Sequence, residues 1–252
     1  DKVIYHLDEP LSDFASLPTY MLSELARKKV KVVLTGEGGD ENFAGYNYYK
    51  KFDNILNYGK YLPSINLKIK KSKSKEGIFD MKIFAYNRFD KYLKYNSKEF
   101  LKNKLIYNWF SNNNFLNEML RWDTKIWLPD DLLMKVDKMS MANSLEARTP
   151  FLDYKFMEFT SKIDPKLKLN KYILKKSFTK EIPKEILNRS KHGFDVPVEK
   201  WFNTTYKEKA NEVINENKEI LKKYFNQELI SKMLINKRDN LFLWRLYNFI
   251  VW

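Results

Sequence analysis

Between Val32 and Tyr46 the chain reads VVLTGEGGDENFAGY, a short apolar run that breaks into a turn dense in glycine. Val32, Val33 and Leu34 suit a buried strand, because β-branched and aliphatic side chains pack well on a pleated surface. Four of the chain's 7 glycines, Gly36, Gly38, Gly39 and Gly45, fall inside this window. The backbone here is therefore built for positive φ or for close approach by a ligand. Glu37, Asp40 and Glu41 put carboxylates at the carboxyl end of the strand, which in open α/β sheets is the edge where ligands bind. A plainer reading competes: Thr35 followed by glycine could simply cap the next helix.

At 252 residues, 44% hydrophobic and 16% aromatic, the chain can bury a substantial core as one sizeable domain or two small ones. It has no stretch approaching 18 uncharged apolar residues and no basic start leading into a short apolar segment. A membrane span and a secretory signal are thus not expected in the residues given, although Asp1 need not be the natural start. Cysteine is absent, which excludes disulfides, thiolate metal sites and a cysteine nucleophile within these residues. A cytoplasmic location is the expectation, since a reducing compartment is compatible with that absence.

Lys plus Arg at 46 against Asp plus Glu at 32 gives a net charge of +14, which raises nucleic acid or an anionic membrane as partners. The charge is spread out, however, and only Lys68 to Lys75 (KIKKSKSK) forms a tight basic run. That run reads as a solvated loop. Neither nucleic acid nor membrane is the expected partner.

Coarse periodicity predicts a helix over residues 13 to 29, with Leu17, Tyr20, Met21, Leu25 and Ala26 near helical spacing and Pro18 in the first turn. A strand follows at Lys31 to Leu34, and a second is expected at Val3 to His6. From Asp40 onward apolar positions recur three and four apart, over 78 to 93, 114 to 127, 153 to 161, 171 to 180 and 227 to 250. The chain thus divides into a sheet and glycine-turn portion, residues 1 to 50, and a helical portion, residues 51 to 252. No internal repeat is visible.

Two further segments are dense in charge alternating with apolar positions: Leu128 to Asp153, LPDDLLMKVDKMSMANSLEARTPFLD, and Lys171 to Phe194, KYILKKSFTKEIPKEILNRSKHGF. With Thr35 to Tyr46, these three segments resemble the C-terminal synthetase domain of the glutamine-dependent asparagine synthetases, an ATP-pyrophosphatase family that includes β-lactam synthetases. The family pattern S/T-G-E/D-G-x-D-E then F-x-G-Y is matched by Thr35 to Tyr46, with Ala44 where glycine is frequent. L-P-D-D-L-L, K-x-D-x-M-S-M and L-E-x-R-x-P-F-L-D are matched in order by Leu128 to Leu133, Lys135 to Met141 and Leu145 to Asp153. K-x-x-L and R-x-K-x-G-F are matched by Lys171 to Leu174 and Arg189 to Phe194. The opening IYHLDEPLSDFASLPTY and the Trp-containing end from Leu241 to Trp252 extend the likeness over nearly the whole chain.

The resemblance implies an α/β fold: a truncated parallel-sheet remnant of the adenine-nucleotide α-hydrolase type, with one or two strands and a predominantly helical remainder. It also implies ATP and Mg²⁺ as cofactors, with aspartate and ammonia as substrates. Asparagine would form through a β-aspartyl-AMP intermediate. Thr35 and Gly36 take the family's AMP-contacting positions, and Asp40 takes the position of its magnesium-binding aspartate. Glu37 matches the residue linked to forming the acyl-adenylate and handling the amine. Lys171 and Lys191 lie twenty residues apart, like the family's two phosphate-binding lysines, with Lys191 placed to assist catalysis by stabilising departing pyrophosphate. Lys175, one turn after Lys171, is a weaker candidate.

Lys135 and Asp137 are candidates for the substrate pocket, whereas Arg148 reads as structural, in a buried network with Glu146 and Asp153. His6 and His192 lack the spacing of a metal site.

The family's first phosphate loop, S-G-G-x-D-S, and its N-terminal glutaminase domain have no match in these residues. The chain is expected to hold half of an active site and to be inactive alone, its partners being those segments. A homo-oligomer is compatible with the sequence. Two other readings stay open: a related amidotransferase acting on a sugar acid or peptide, and a non-enzymatic basic helical module. Glu37 argues against β-lactam closure, because ring-forming relatives place tyrosine there.

Overall fold

The structure is a computed structural model that describes residues 1–50, 115–189, 193, 196–236 and 240–252. The helix expected over 78 to 93, the basic run at 68 to 75, and Lys191 and His192 lie outside the described residues. Helix α1 spans Lys2–His6 and α2 spans Ser16–Arg27. Strand β1, Val32–Leu34, runs into the four-residue helix α3, Gly39–Asn42. Helix α4, Phe115–Trp122, continues through a wide π-helical stretch, Asp123–Leu133, into α5, Met134–Met141. Strand β2, Glu146–Arg148, follows.

The sheet is two-stranded and parallel, with Val32, Val33 and Leu34 opposite Glu146, Ala147 and Arg148. The helix-rich α/β architecture agrees with the sequence reading, but the position of the second strand does not. Val3 to His6 is helical because Ile4 and Leu7, three residues apart, are both buried, Ile4 in the C-terminal cluster and Leu7 against Tyr20 and Met139. Tertiary burial overrides the β-propensity of Val, Ile and Tyr there. The true second strand, Glu-Ala-Arg, has no β-branched residue, and its strand state comes from pairing with β1.

Beyond β2, a 3₁₀ turn at Pro150–Leu152 leads to α6, Tyr154–Ser161, and α7, Pro165–Lys168. Asp153 is the N-cap of α6, accepting from Lys155 N at 3.0 Å and Phe156 N at 3.1 Å. That role, and the surface pair of Arg148 Nε with Glu146 Oε1 at 2.8 Å, replaces the buried network expected among these residues. Helix α8, Tyr172–Ser177, and α9, Lys184–Leu187, come next. The C-terminal layer is α10 (Val198–Asn203), α11 (Lys207–Glu216), α12 (Lys218–Tyr224), α13 (Gln227–Asn236) and α14 (Asn240–Val251). The helical spacing expected over 227 to 250 falls on α13 and α14.

The largest core joins α10, α11, α12 and α14 through Phe202, Ile214, Leu221, Trp244 and Leu246, with Ile4 reaching in from α1. Trp244 Nε1 donates to Ser12 O at 2.7 Å, and Tyr247 OH donates to Asp1 Oδ1 at 2.8 Å. These bonds tie the two ends of the chain together. A smaller core of Ala44, Tyr49, Leu116, Met119 and Leu120 underlies the glycine turn. No described helix is long and apolar enough to cross a membrane.

Candidate active site at the end of strand β1

Strand β1 stops where Thr35 closes the ladder, its N–H donating to Arg148 O at 2.8 Å. The chain then turns sharply. Gly38 has φ +83° and serves as N-cap of α3, so the capping position belongs to Gly38 and not to Thr35. A side chain at Gly38 would also strike Leu152, whose Cδ2 lies 2.1 Å from the position of a Cβ. Asn42 Nδ2 donates to Phe151 O at 2.7 Å. The Pro-Phe-Leu-Asp end of the middle motif therefore packs on the acidic turn, and Phe43, Phe151 and Phe156 form a ring cluster with centroids 5.9 to 6.3 Å apart. Gly36 differs from Gly38, since no atom of the described residues beyond its chain neighbours lies within 4 Å of where its Cβ would stand.

Asp40 and Lys171, distant in sequence, meet at this turn. Lys171 Nζ lies 3.1 Å from Asp40 Oδ1, and both side chains are largely shielded from water. The contact depends on Gly45, because a Cβ there would lie 1.9 Å from Asp40 Oδ1 and 2.4 Å from Lys171 Cε. Lys171 is presented by an unusual backbone, with Asn170 at φ 59° and Lys171 at φ 60°. Two consecutive non-glycine residues in the left-handed region are strained and persist only where their surroundings hold them. Here Asn170 N donates to Ala44 O at 3.0 Å and Lys171 N to Phe43 O at 2.9 Å. The glycine turn thus fixes the lysine that faces it.

Thr35, Gly36 and Glu37 line one end of a cavity of about 360 Å³ whose remaining wall is mostly apolar, including Leu22, Val33, Val136 and Leu145. Lys135 is buried and paired with Asp13 at 2.6 Å. Asp137, two residues on, is exposed and stands apart from this group. Asp131 has no role in the sequence motifs, yet burial pushes its carboxyl up to about 6, with Asp13 and Glu37 adding to the rise and Lys135 and Arg245 opposing it. The available signal was an acidic residue set between apolar positions of a helix, in a stretch distorted by Pro129. Pro129 supplies no N–H to an α-helical ladder, and π-helical turns recur at functional sites.

Behind Asp40 lies a buried acidic and phenolic layer. Tyr46 OH donates to Glu41, Tyr48 OH donates to Asp123 Oδ2 at 2.6 Å, and Tyr49 OH also donates to Asp123. Burial raises the Glu41 carboxyl, partly countered by the Tyr46 hydrogen bond. Burial first, then the neighbouring carboxylates, pushes the Tyr46 and Tyr49 hydroxyls up as well. These phenols stay protonated and act as donors. His6 takes no part, its ring stacking on Tyr20 at 6.2 Å.

Parallel strands ending in a glycine-built acidic turn, with a lysine held against it, make this an α/β protein, and in open α/β sheets ligands bind at the carboxyl ends of the strands. The asparagine synthase family model matches residues 1–252, and the chain belongs to that family. It is 32% identical to asparagine synthetase [glutamine-hydrolyzing] 1 of Bacillus subtilis (strain 168), a match that covers 100% of this chain and 44% of that protein. A putative asparagine synthetase [glutamine-hydrolyzing] of Mycobacterium tuberculosis (strain ATCC 25618 / H37Rv) is 31% identical over 79% of this chain and 35% of its own length. Amidase chyE of Penicillium rubens is 26% identical over 80% of this chain and 37% of its own length. The chain spans less than half the length of these relatives.

Proposed function

We propose that this chain is the C-terminal part of an ATP-dependent amidotransferase that makes asparagine from aspartate and glutamine-derived ammonia through a β-aspartyl-AMP intermediate. The observation that supports it most is the contact of Asp40 with Lys171 at the end of β1. A carboxylate and an ammonium set beside open backbone suit a site that must hold both phosphate oxygens and a hard cation. Asp40 supplies one oxygen ligand of the right kind for magnesium, and no group of three or more candidate ligands gathers among the described residues. When bound, magnesium neutralises triphosphate charge.

The chain's own residues then divide the work. Thr35 and Gly36 leave room for nucleotide to approach backbone, in keeping with the open space at Gly36. Lys171 and Lys191 offset the charge of departing pyrophosphate. Glu37, on the cavity wall, orients the incoming ammonia and accepts its proton at the carboxylate. Lys135, held by Asp13, contributes positive charge near Asp131; Asp137 is the weaker substrate candidate.

The test is aspartate-dependent exchange of labelled pyrophosphate into ATP by the full-length protein. Exchange is expected in the wild type, lost in Lys191→Ala and strongly reduced in Glu37→Ala. Exchange supported only by another carboxylate would move the assignment to a related amidotransferase. No exchange with any carboxylate, together with tight and steeply salt-dependent nucleic-acid binding, would make the chain a binding module instead.

A further inference from the structure

A second cavity, of about 300 Å³, is walled by Glu41 and Asn42 of α3, by α4 and the start of the π-helical stretch, and by α6. Lys168, the last residue of α7, lines it and is only 4% exposed. Among the described residues its ammonium makes no hydrogen bond or ion pair. Lysine is almost never buried without a partner, because removing a charge from water without compensation is costly. Arg121 and Lys125 stand on the same wall, with Thr124 adding a hydroxyl group, while the Ser161 hydroxyl donates to Glu158 O at 2.8 Å.

We propose that this cavity binds a small oxyanion, a phosphate or carboxylate group, through Lys168 at its base with Arg121 and Lys125 at its mouth. Three cations and the Thr124 hydroxyl match the acceptor-only oxygens of such a group. The volume is at the low end for small-ligand pockets, about 300–1,000 Å³, which suits a compact anion. Glu41 offers limited opposition: Tyr46 donates to it, and burial favours its protonated form. Burial also lowers the Lys168 ammonium. Asp40 and Lys171 are not on this wall, so the cavity is separate from the site at β1.

The test uses the full-length protein at constant ionic strength, with phosphate or acetate replacing chloride and thermal stabilisation read against anion concentration. Saturable stabilisation by either anion is expected in the wild type and in Lys171→Ala, and the tighter anion identifies the ligand. Lys168→Met should weaken it at least about tenfold. Arg121→Gln, at an exposed position, should weaken it about threefold. Stabilisation no greater than with chloride, unchanged affinity in both variants, or loss confined to Lys171→Ala would each overturn the proposal.

Discussion

A methyl group on Gly45 would push the Asp40 carboxylate off Lys171 while leaving every charge in place. Gly45→Ala in the full-length protein should therefore slow pyrophosphate exchange by about a hundredfold and cost about 1–3 kcal/mol through overpacking. Unchanged exchange would show that the contact is incidental. Asp131 makes a prediction of opposite sign. Its native carboxyl holds a proton up to about 6, whereas the unfolded chain releases it near the ordinary 3.8. Wild-type stability accordingly falls as pH rises through that window, and the loss is complete above it. Asp131→Asn does not titrate, so its stability relative to wild type should rise by roughly 1–2 kcal/mol between pH 4 and pH 7.5. Urea midpoints at the two pH values measure this, and an equal difference at both would place the carboxyl in water.

Elements were legible in the sequence where a period ran long enough to be read. Helix α2, strand β1 and helix α6 lie within a few residues of their expected spans, because apolar spacing and turn residues marked them. Strand β2 was not legible, since its state is set by a partner 114 positions earlier in register, Val32 opposite Glu146. The same limit hid the backbone that presents Lys171. Asn at 170 tolerates the left-handed region, but only contact with Phe43 and Ala44 commits the next residue to it. Asn170→Val puts a branched Cβ at φ 59° and should destabilise the protein by about 1–2 kcal/mol. Pyrophosphate exchange should fall with it, while Asn170→Gly should keep both near wild type. Equal behaviour of Val and Gly in denaturant and exchange would show that the turn is not held in this conformation.

At the scale of the whole molecule, the parallel strand pair is unusually bare. Parallel sheets are ordinarily covered on both faces, yet Leu34 is 74% exposed and Met21 and Leu25 of α2 are exposed as well. More than half of the Bacillus subtilis relative lies outside the span matched by this chain. In a full-length protein Leu34→Asp should then cost about 2 kcal/mol, the value of a buried aliphatic side chain; a cost under about 0.5 kcal/mol would show that Leu34 stays solvated. The ordered motifs pointed to Thr35, Gly36, Glu37, Asp40 and Lys171, and the fold sets Asp40 beside Lys171 on the turn that begins at Thr35. Lys168 was not legible, because in a chain with 46 basic residues burial leaves no mark on the sequence. The most direct test of the account is a crystal structure of the full-length protein with Mg²⁺ and a non-hydrolysable ATP analogue. It should show the metal on Asp40 and the β- and γ-phosphates within hydrogen-bond distance of both Lys171 and Lys191, whereas nucleotide bound elsewhere, with Asp40 and Lys171 still closed on each other, would contradict it.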